Sequence, residues 1–445
     1  MFVNVDKFFP MKKEELIYFD NAATTFKPIQ VINKEIEYMS MYTANSHRGD
    51  YNISFKVDDE IDNTRELVKS FINARHKEEI LFTSNTTDSL NLVVNGYFKN
   101  YLSSNDEVIL NKAEHASNIL PWLMLKKSIG FKIKYAALDK DNTLSLDSIK
   151  KCITKNTKVI SLAYITNVIG DKRNIKEIVS YAHKHGIIVV VDAAQAIGHT
   201  KIDVRDMDAD MLAFSAHKMC GPTGVGVLYA KKELLDKMLP VNFGGGMNLN
   251  YHESDISLAE IPYRFEAGTP NIGGIISFGE AIKFLNMVGL DNIERIEKHL
   301  RKYLINELKK IDYVKVYNED ILSSIVLINI DGITSGDLGL YLNTHGICVR
   351  SGKHCTKMLK DESGFTDTVR ISLYFYNTYE EIDKLILALK DKLSIKEFIE
   401  DTSHQLKTPL ASISIILDNL IDNPNMDNKL RESFLKDINR EISKI

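Results

Sequence analysis

The chain is poor in cysteine and has no long apolar run. Four cysteines, Cys152, Cys220, Cys348 and Cys355, stand among 445 residues, and none forms a CxxC pair. That spacing argues against a disulfide framework or a cysteine zinc site and fits a reducing compartment. No stretch approaches the ~20 consecutive apolar residues of a membrane helix. The longest, GIIVVVDAA, reads as a buried strand. The opening MFVNVDKFFPMKK lacks an apolar h-region followed by a small-residue cleavage site. No signal peptide, no membrane and a cytoplasmic location are therefore expected. The net charge of −4 gives no global basic field, so nucleic acid is not expected as a partner. Pairs such as Lys126-Lys127 read as solvated surface. Internal repeats and low-complexity segments are absent too, and no metal site is expected.

What is present is ordinary for a globular chain: 44% hydrophobic and 26% charged residues, enough for real cores. The length suggests about two to three domains at ~150 residues each. Short apolar strand candidates alternate with helical stretches: EEILFTS then TTDSLNLVVNGYF, DEVILN then ASNILPWLMLKK, TKVISLAYI then NIKEIVSYAHKHG, and IIVVVDA after these. Apolar strands separated by amphipathic helices predict an α/β fold with a parallel sheet covered on both faces. Ligands of such sheets lie beyond the carboxyl ends of the strands, so the polar residues at those ends are the ones to read.

Asp192 ends the very apolar strand VVVDAAQAIGH. An ionised carboxylate there needs a partner; a helix cap is one reading, a counter-ion for a cationic ring nitrogen is another. In FSAHKMCGPTGVGVLY, Ser215, His217 and Lys218 follow a strand and precede glycines that permit close backbone approach. In TSNTTDSLNLV, Thr86 and Thr87 open a helix, where hydroxyls and backbone N–H groups suit an anion as well as a cap. An Asp, a Lys soon after it and a hydroxyl-bearing helix start together suggest pyridoxal phosphate, with Lys218 holding the aldehyde and Asp192 keeping the ring nitrogen protonated.

Residues 15–393 resemble a class V aminotransferase-fold cysteine desulfurase of the group II, or SufS, type. The resemblance is carried by YFDNAATTFKP, NSHRGDYNIS, AEHASNILPW, VDAAQAIGH, FSAHKMCGPTGVG, RFEAGTPN and VRSGKHC. It implies the fold type I of pyridoxal-phosphate transferases. That fold has a large domain over residues 16–255 on a mainly parallel seven-stranded sheet. A small α/β domain, 256–393, would be joined by the N-terminal arm, 1–15. The resemblance further implies that Lys218 is the Schiff-base lysine and proton shuttle, and that His115 stacks on the ring. Asp192 would pair with the ring nitrogen and Gln195 contact the phenolic oxygen. Thr86, Thr87, Ser215 and His217 would surround the phosphate. Asn167, Arg350 and Arg370 would bind the substrate carboxylate. Thr269 would reach the phosphate of a neighbouring subunit, which implies a homodimer. Cys355 would take sulfur from L-cysteine as a persulfide, release alanine and pass the sulfur to an acceptor protein; selenocysteine lyase activity uses the same residues. The thiolate is the attacking species, and RSGKHCTK places Arg350, Lys353, His354 and Lys357 near it as a cationic setting. Cys152, Cys220 and Cys348 read as structural. Where many relatives carry Gly-His-His-Cys-Ala, this chain has Gly352-Lys353-His354-Cys355-Thr356. A His-Asp pair that some relatives use with a zinc-bearing acceptor is Gly336-Asp337 here, which points away from that type of acceptor.

The last fifty or so residues read differently. TYEEIDKLILALKDKL runs into SIKEFIEDTSHQLKTPLASISIILDNLID with no Gly or Pro at the junction, so the sequence leaves room for one long helix. Leu406, Leu410, Ile413, Leu417 and Leu420 step by 4, 3, 4 and 3, a heptad seam. Pro409 invites a kink. After DNPNMDN a second amphipathic piece carries Leu430, Phe434, Leu435, Ile438 and Ile442. Two such hairpins would make a four-helix bundle. SHQLKTPL resembles the phospho-acceptor box of the HisKA domain of sensor histidine kinases, which implies His404 as acceptor and a kinase or response regulator as partner. Gln405 cannot act as a general base, and no Gly-rich ATP-binding domain follows. A non-autonomous fragment, a phosphate-accepting fusion and two joined reading frames are the three readings, the first favoured.

Overall fold

The computed structural model describes residues 5–442 apart from Glu14, His47, Arg48, Ser254, Thr366, Pro424 and Asn425, and apart from the side chains of residues 13, 402–408, 410 and 411. The N-terminal arm leads into a short strand, β1 (Ile17–Tyr18). The main sheet follows: β2 (Ile80–Thr83), β3 (Glu107–Asn111), β4 (Lys132–Ala136), β5 (Thr157–Ala163), β6 (Ile188–Asp192), β7 (Met211–Ser215) and β8 (Gly226–Ala230). Their spatial order is β2-β8-β7-β6-β5-β3-β4. Only β8 runs antiparallel to its neighbours, so the sheet has the expected number of strands and is mixed at one side. The central strands are buried along their whole length, which is why their sequences are continuously apolar rather than alternating.

Register places the polar strand ends together. Asp192 lies opposite Ala163 of β5 and Ala213 of β7, and Ser215 ends β7 two residues beyond. The edge where these strands stop is the carboxyl edge predicted to hold the ligand. The helix Ile272–Val288 is buried on nearly every side and packs against the helices Ile29–Met41 and Asn52–Phe71.

A hairpin of β9 (Asn248–His252) and β10 (Asp255–Leu258) stands out from the main body, with Leu249, Tyr251 and Ile256 exposed. The C-terminal half builds a second, antiparallel sheet in the order β11-β12-β15-β14, with β11 (Val314–Val316), β12 (Ile325–Ile330), β14 (Arg350–Gly352) and β15 (Thr368–Ser372). A short β13 (Ile347–Cys348) pairs parallel with β1, which ties the N-terminal arm to this half. Arg350 of β14 is directly opposite Arg370 of β15. Cross-strand pairing thus brings two cations to one place although 20 residues separate them.

The continuous helix that the sequence leaves room for at the C-terminus is divided in two. The helix Tyr379–Lys390 ends at Asp391, and a new one, Lys392–Asp422, begins there. The cause is local: the Asp391 carboxylate accepts from the Ser394 N–H at 3.0 Å and from its hydroxyl at 2.7 Å, a cap that starts a helix afresh. Pro409 lies inside the second helix without interrupting it. The following helix, Asn428–Ile442, packs back on it as a hairpin. Ile395 is fully buried in the main hydrophobic core, and the Phe398 ring meets Tyr341 edge-on at 5.7 Å. Beyond that point Ile415, Ile421, Leu430, Leu435 and Ile442 are exposed. Cutting the chain after Leu393 is therefore expected to lower stability by roughly 2–4 kcal/mol, the burial of one Ile and part of one Phe. Cutting after Glu400 is expected to cost almost nothing. Thermal denaturation of the two truncations checks this.

Candidate active site

The site begins with a cup of hydroxyls. β2 ends at Thr83, and Asn85 caps the helix Thr86–Leu92 by accepting from Asp88 N–H at 3.0 Å. Ser215, at the end of β7, accepts from Thr86 N–H at 2.7 Å and lies 2.6 Å from its hydroxyl. Thr87 and Ser117 bring their hydroxyl oxygens within 2.6 Å of each other. Gly226 lets β8 pass beneath this turn, since a Cβ there would lie 2.5 Å from the Asn85 backbone. Gly224 has φ +75°, the left-handed region that suits glycine. His217 Nδ1 is buried here with no hydrogen-bond partner among the described residues. Burial, then the neighbouring Lys218 charge, pushes its pKa down to about 4, so the ring is neutral. An unpaired buried ring nitrogen beside a helix start and four hydroxyls is a donor set waiting for an anion.

Lys218, Asp192 and His115 stand next to the cup. Burial lowers Lys218 to about 8, against the pull of Asp192. Burial raises Asp192 to about 6, partly offset by the hydrogen bond from Ala194 N–H at 2.9 Å. Each carries the mark of a charged group held in a poorly solvated place. His115 caps the helix Ala116–Ile129 with Nδ1, which accepts from Ser117 N–H at 3.1 Å. Burial, with Lys218 adding, pushes it down to about 4. Gln195 donates to the carbonyl of Ala22 at 2.8 Å.

Behind this group lies a fully buried polar network that the sequence reading did not single out. Arg173 pairs with Glu114, and its other nitrogen donates to Asn111 Oδ1 at 3.1 Å. Glu114 also accepts from Asn118 Nδ2 and Ala163 N–H, both at 2.8 Å. This fixes the end of β3, the end of β5 and the start of the His115 helix against one another.

The opposite wall comes from the second sheet. Arg370 is 1% exposed, donates to Asp20 Oδ1 and to the backbone carbonyl of Asn167, both at 2.9 Å, and its Nε has no partner among the described residues. Arg350 donates to Cys355 Sγ at 3.3 Å. Cys355 is exposed, whereas Cys220 is buried and raised to about 12 by burial. The expected cationic setting needs one correction: His354 does not contribute a charge. Its ring is 3% exposed, Nε2 faces Thr368, and burial beside Arg370 and Arg350 pushes it down to about 3.

One cavity of about 600 Å³ is lined by Thr86, Thr87, His115, Asn167, Asp192, Gln195, Ser215, His217, Lys218, Arg350 and Arg370. Eleven residues predicted from widely separated stretches thus meet in one place. Cys355 stands at its rim through Arg350. Thr269 does not line this cavity; it lies exposed in a second depression, hydrogen-bonded to Asn45 Nδ2 at 3.2 Å. The backbone of His404 belongs to the Lys392–Asp422 helix, and its side chain lies outside the described residues. Ser117 and Asp20 were missed as site residues, although Asp20 sits in the quoted stretch YFDNAATT.

An α/β chain with a lysine, a buried aspartate and an anion cup at the carboxyl edge of its sheet has the architecture of a cofactor-dependent transferase. The profile of the aminotransferase class-V family matches residues 17–385. A probable cysteine desulfurase of Halalkalibacterium halodurans is 40% identical over 391 residues, covering 87% of this chain and 96% of its own length. One from Staphylococcus epidermidis is 39% identical over 390 residues, covering 87% and 94%. Among solved structures, the apo cysteine desulfurase of Thermococcus onnurineus aligns with TM-score 0.84 at 36% identity, over 87% of this chain and 96% of that one. The cysteine desulfurase CsdA of Escherichia coli aligns with TM-score 0.82 at 31% identity, over 87% and 97%. The chain belongs to the class-V aminotransferase family, among its cysteine desulfurases, and the family is dependent on pyridoxal phosphate.

Proposed function

We propose that this chain binds pyridoxal phosphate and converts L-cysteine to L-alanine, leaving the sulfur as a persulfide on Cys355. The cup of Thr86, Thr87, Ser215 and the His217 ring, whose Nδ1 has no partner among the described residues, fits the phosphate. Asp192 fits a protonated ring nitrogen, and Gln195 and the neutral His115 fit the ring's oxygen and face. When bound, the cofactor draws electron density from the substrate α-carbon and so loosens its proton and the bonds one atom further out. Lys218 moves that proton: with its pKa lowered to about 8, a useful fraction is free base near neutral pH. Arg370, with Arg350 and Asn167, holds the substrate carboxylate. The Cys355 thiolate attacks the substrate sulfur; a sulfur–sulfur bond forms and the substrate's carbon–sulfur bond breaks. The electron pair stays with the carbon fragment, which takes up protons and leaves as alanine.

The observation that carries this reading is the Arg350–Cys355 contact of 3.3 Å, because Arg350 also lines the cavity of Lys218 and Asp192. It sets an exposed thiol at the mouth of the binding cavity. A thiol so placed is suited to a docking sulfur-acceptor protein. The exposed Thr269 and the exposed apolar Phe243, Leu249 and Tyr251 support a homodimer in which Thr269 serves the neighbouring site. The segment boundaries at 255 and 393 and the group II affinity rest on the same motifs as before. For the tail, we favour a non-autonomous helical hairpin of HisKA type, with His404 a phospho-acceptor only if a separate kinase supplies phosphate. The test of the enzyme reading is alanine release from L-cysteine by the cofactor-loaded protein and by Cys355→Ala. The wild type releases alanine and the variant, with its cofactor spectrum intact, does not; release by both, or by neither, refutes the assignment.

A further inference from the structure

Cys355 and the residue before it both have left-handed backbones: φ is 50° at His354 and 61° at Cys355. Neither is glycine, so the loop holds a conformation that persists only if its surroundings impose it. Three elements do so. The His354 ring is anchored on Thr368, with Nε2 2.9 Å from the hydroxyl. Ala116 N–H donates to the Cys355 carbonyl at 3.0 Å. The third is Asn167, whose Nδ2 donates to the His354 carbonyl at 2.7 Å and whose Oδ1 lies 3.1 Å from the Thr356 hydroxyl.

Donor and acceptor chemistry fixes these roles. A carbonyl only accepts, so the Asn167 end that faces His354 is the NH₂ end. The other end is then the oxygen, and the Thr356 hydroxyl must donate to it. The NH₂ group has a second proton beyond the one used on the loop. Asn167 lines the cavity and its own carbonyl receives Arg370. One residue therefore touches the Cys355 loop through its side-chain amide and Arg370 through its backbone carbonyl.

We propose that Asn167 couples substrate binding to the placement of Cys355, and that Thr356 is the positioning residue that holds the Asn167 amide in the orientation the coupling needs. This rests on the desulfurase reading above. A substrate carboxylate on Arg370 takes the second Asn167 N–H, and the amide, pinned at its oxygen by Thr356, transmits that hold to the His354 carbonyl and so to the sulfur. Thr356, Asn167 and His354 are 5%, 6% and 3% exposed, so water does not readily replace a lost partner.

The test uses the full-length, cofactor-loaded protein and the rate at which iodoacetamide alkylates Cys355, with and without saturating L-alanine as a carboxylate probe. In the wild type L-alanine slows alkylation at least about threefold. In Thr356→Val, which keeps the shape and removes the donor, the ratio with and without L-alanine falls to about one, and alanine release from L-cysteine drops about five- to tenfold, the loss of one buried hydrogen bond. Thr356→Ser, which keeps the hydroxyl, retains the wild-type ratio. A wild-type ratio of one, or an unchanged ratio in Thr356→Val, overturns the proposal; the latter outcome is that of plain steric shielding or of a residue that only supports the fold. If Thr356→Val does not fold, Thr356→Ala, with the hydroxyl also removed, is read by the same ratio. Failure of the wild type to release alanine from L-cysteine refutes the desulfurase reading instead, and the alkylation ratio still reports on the coupling.

Discussion

Replacing Lys218 with methionine is expected to remove at least about a thousandfold of alanine release while leaving the cofactor-free protein at least as stable as its parent at pH 7. The first half follows from the role proposed for Lys218: losing a group that both holds the cofactor and moves the proton would cost more than losing a general base alone. The second half follows from burial. Lys218 has a pKa of about 8 in the folded chain against the ordinary 10.5, so below pH 8 it is charged in both folded and unfolded states and the cost of burying that charge is fully present. As pH rises from 8 towards 10.5 the folded state gives up the proton first, and the cost is relieved. The stability advantage of Lys218→Met should therefore be largest at neutral pH and shrink above pH 8. Activity assays with thermal denaturation across that range check both halves. A variant less stable than the parent at pH 7 would show that Lys218 is structural in the empty site.

The second large effect concerns a pair with no part in the chemistry. Arg173→Met is expected to destabilise the chain by about 3–5 kcal/mol, because it leaves Glu114 buried without its counter-charge. Glu114 and Arg173 side chains are both fully buried. The double replacement Arg173→Met with Glu114→Gln should recover much of that loss, since it removes both charges together. Denaturant unfolding of the three variants measures this. The same pair anchors the start of the His115 helix and Ala163, so the single variant should also weaken cofactor retention.

Much of this was legible in the sequence because it rests on periodicity and on chain-local chemistry. β5, β6 and β7 read as buried strands because both faces are covered, and Asp192 and Ser215 declared the carboxyl edge because polar residues end apolar runs there. Arg173 and Glu114 were not legible. Their partnership spans 59 positions, and each alone resembles a surface charge. His354 was misread as a cation because sequence neighbourhood to Cys355 says nothing of where the ring turns; the β14–β15 pairing buries it against Thr368. The helix break at Asp391 was not legible because an aspartate cap, unlike Gly or Pro, leaves the helical pattern on either side unbroken. Thr356 carries no signal until the fold brings Asn167 to it from 189 positions away.

The central claim is that Cys355 carries the sulfur, and the mass of its peptide tests that claim most directly. The cofactor-loaded protein is mixed with L-cysteine without a reductant or acceptor, quenched and digested. The account predicts the mass of one added sulfur atom on the peptide that holds Cys355, absent from Cys355→Ser and absent when L-alanine replaces L-cysteine. Alanine release with the added sulfur on Cys152, Cys220 or Cys348, or on no cysteine, would contradict it.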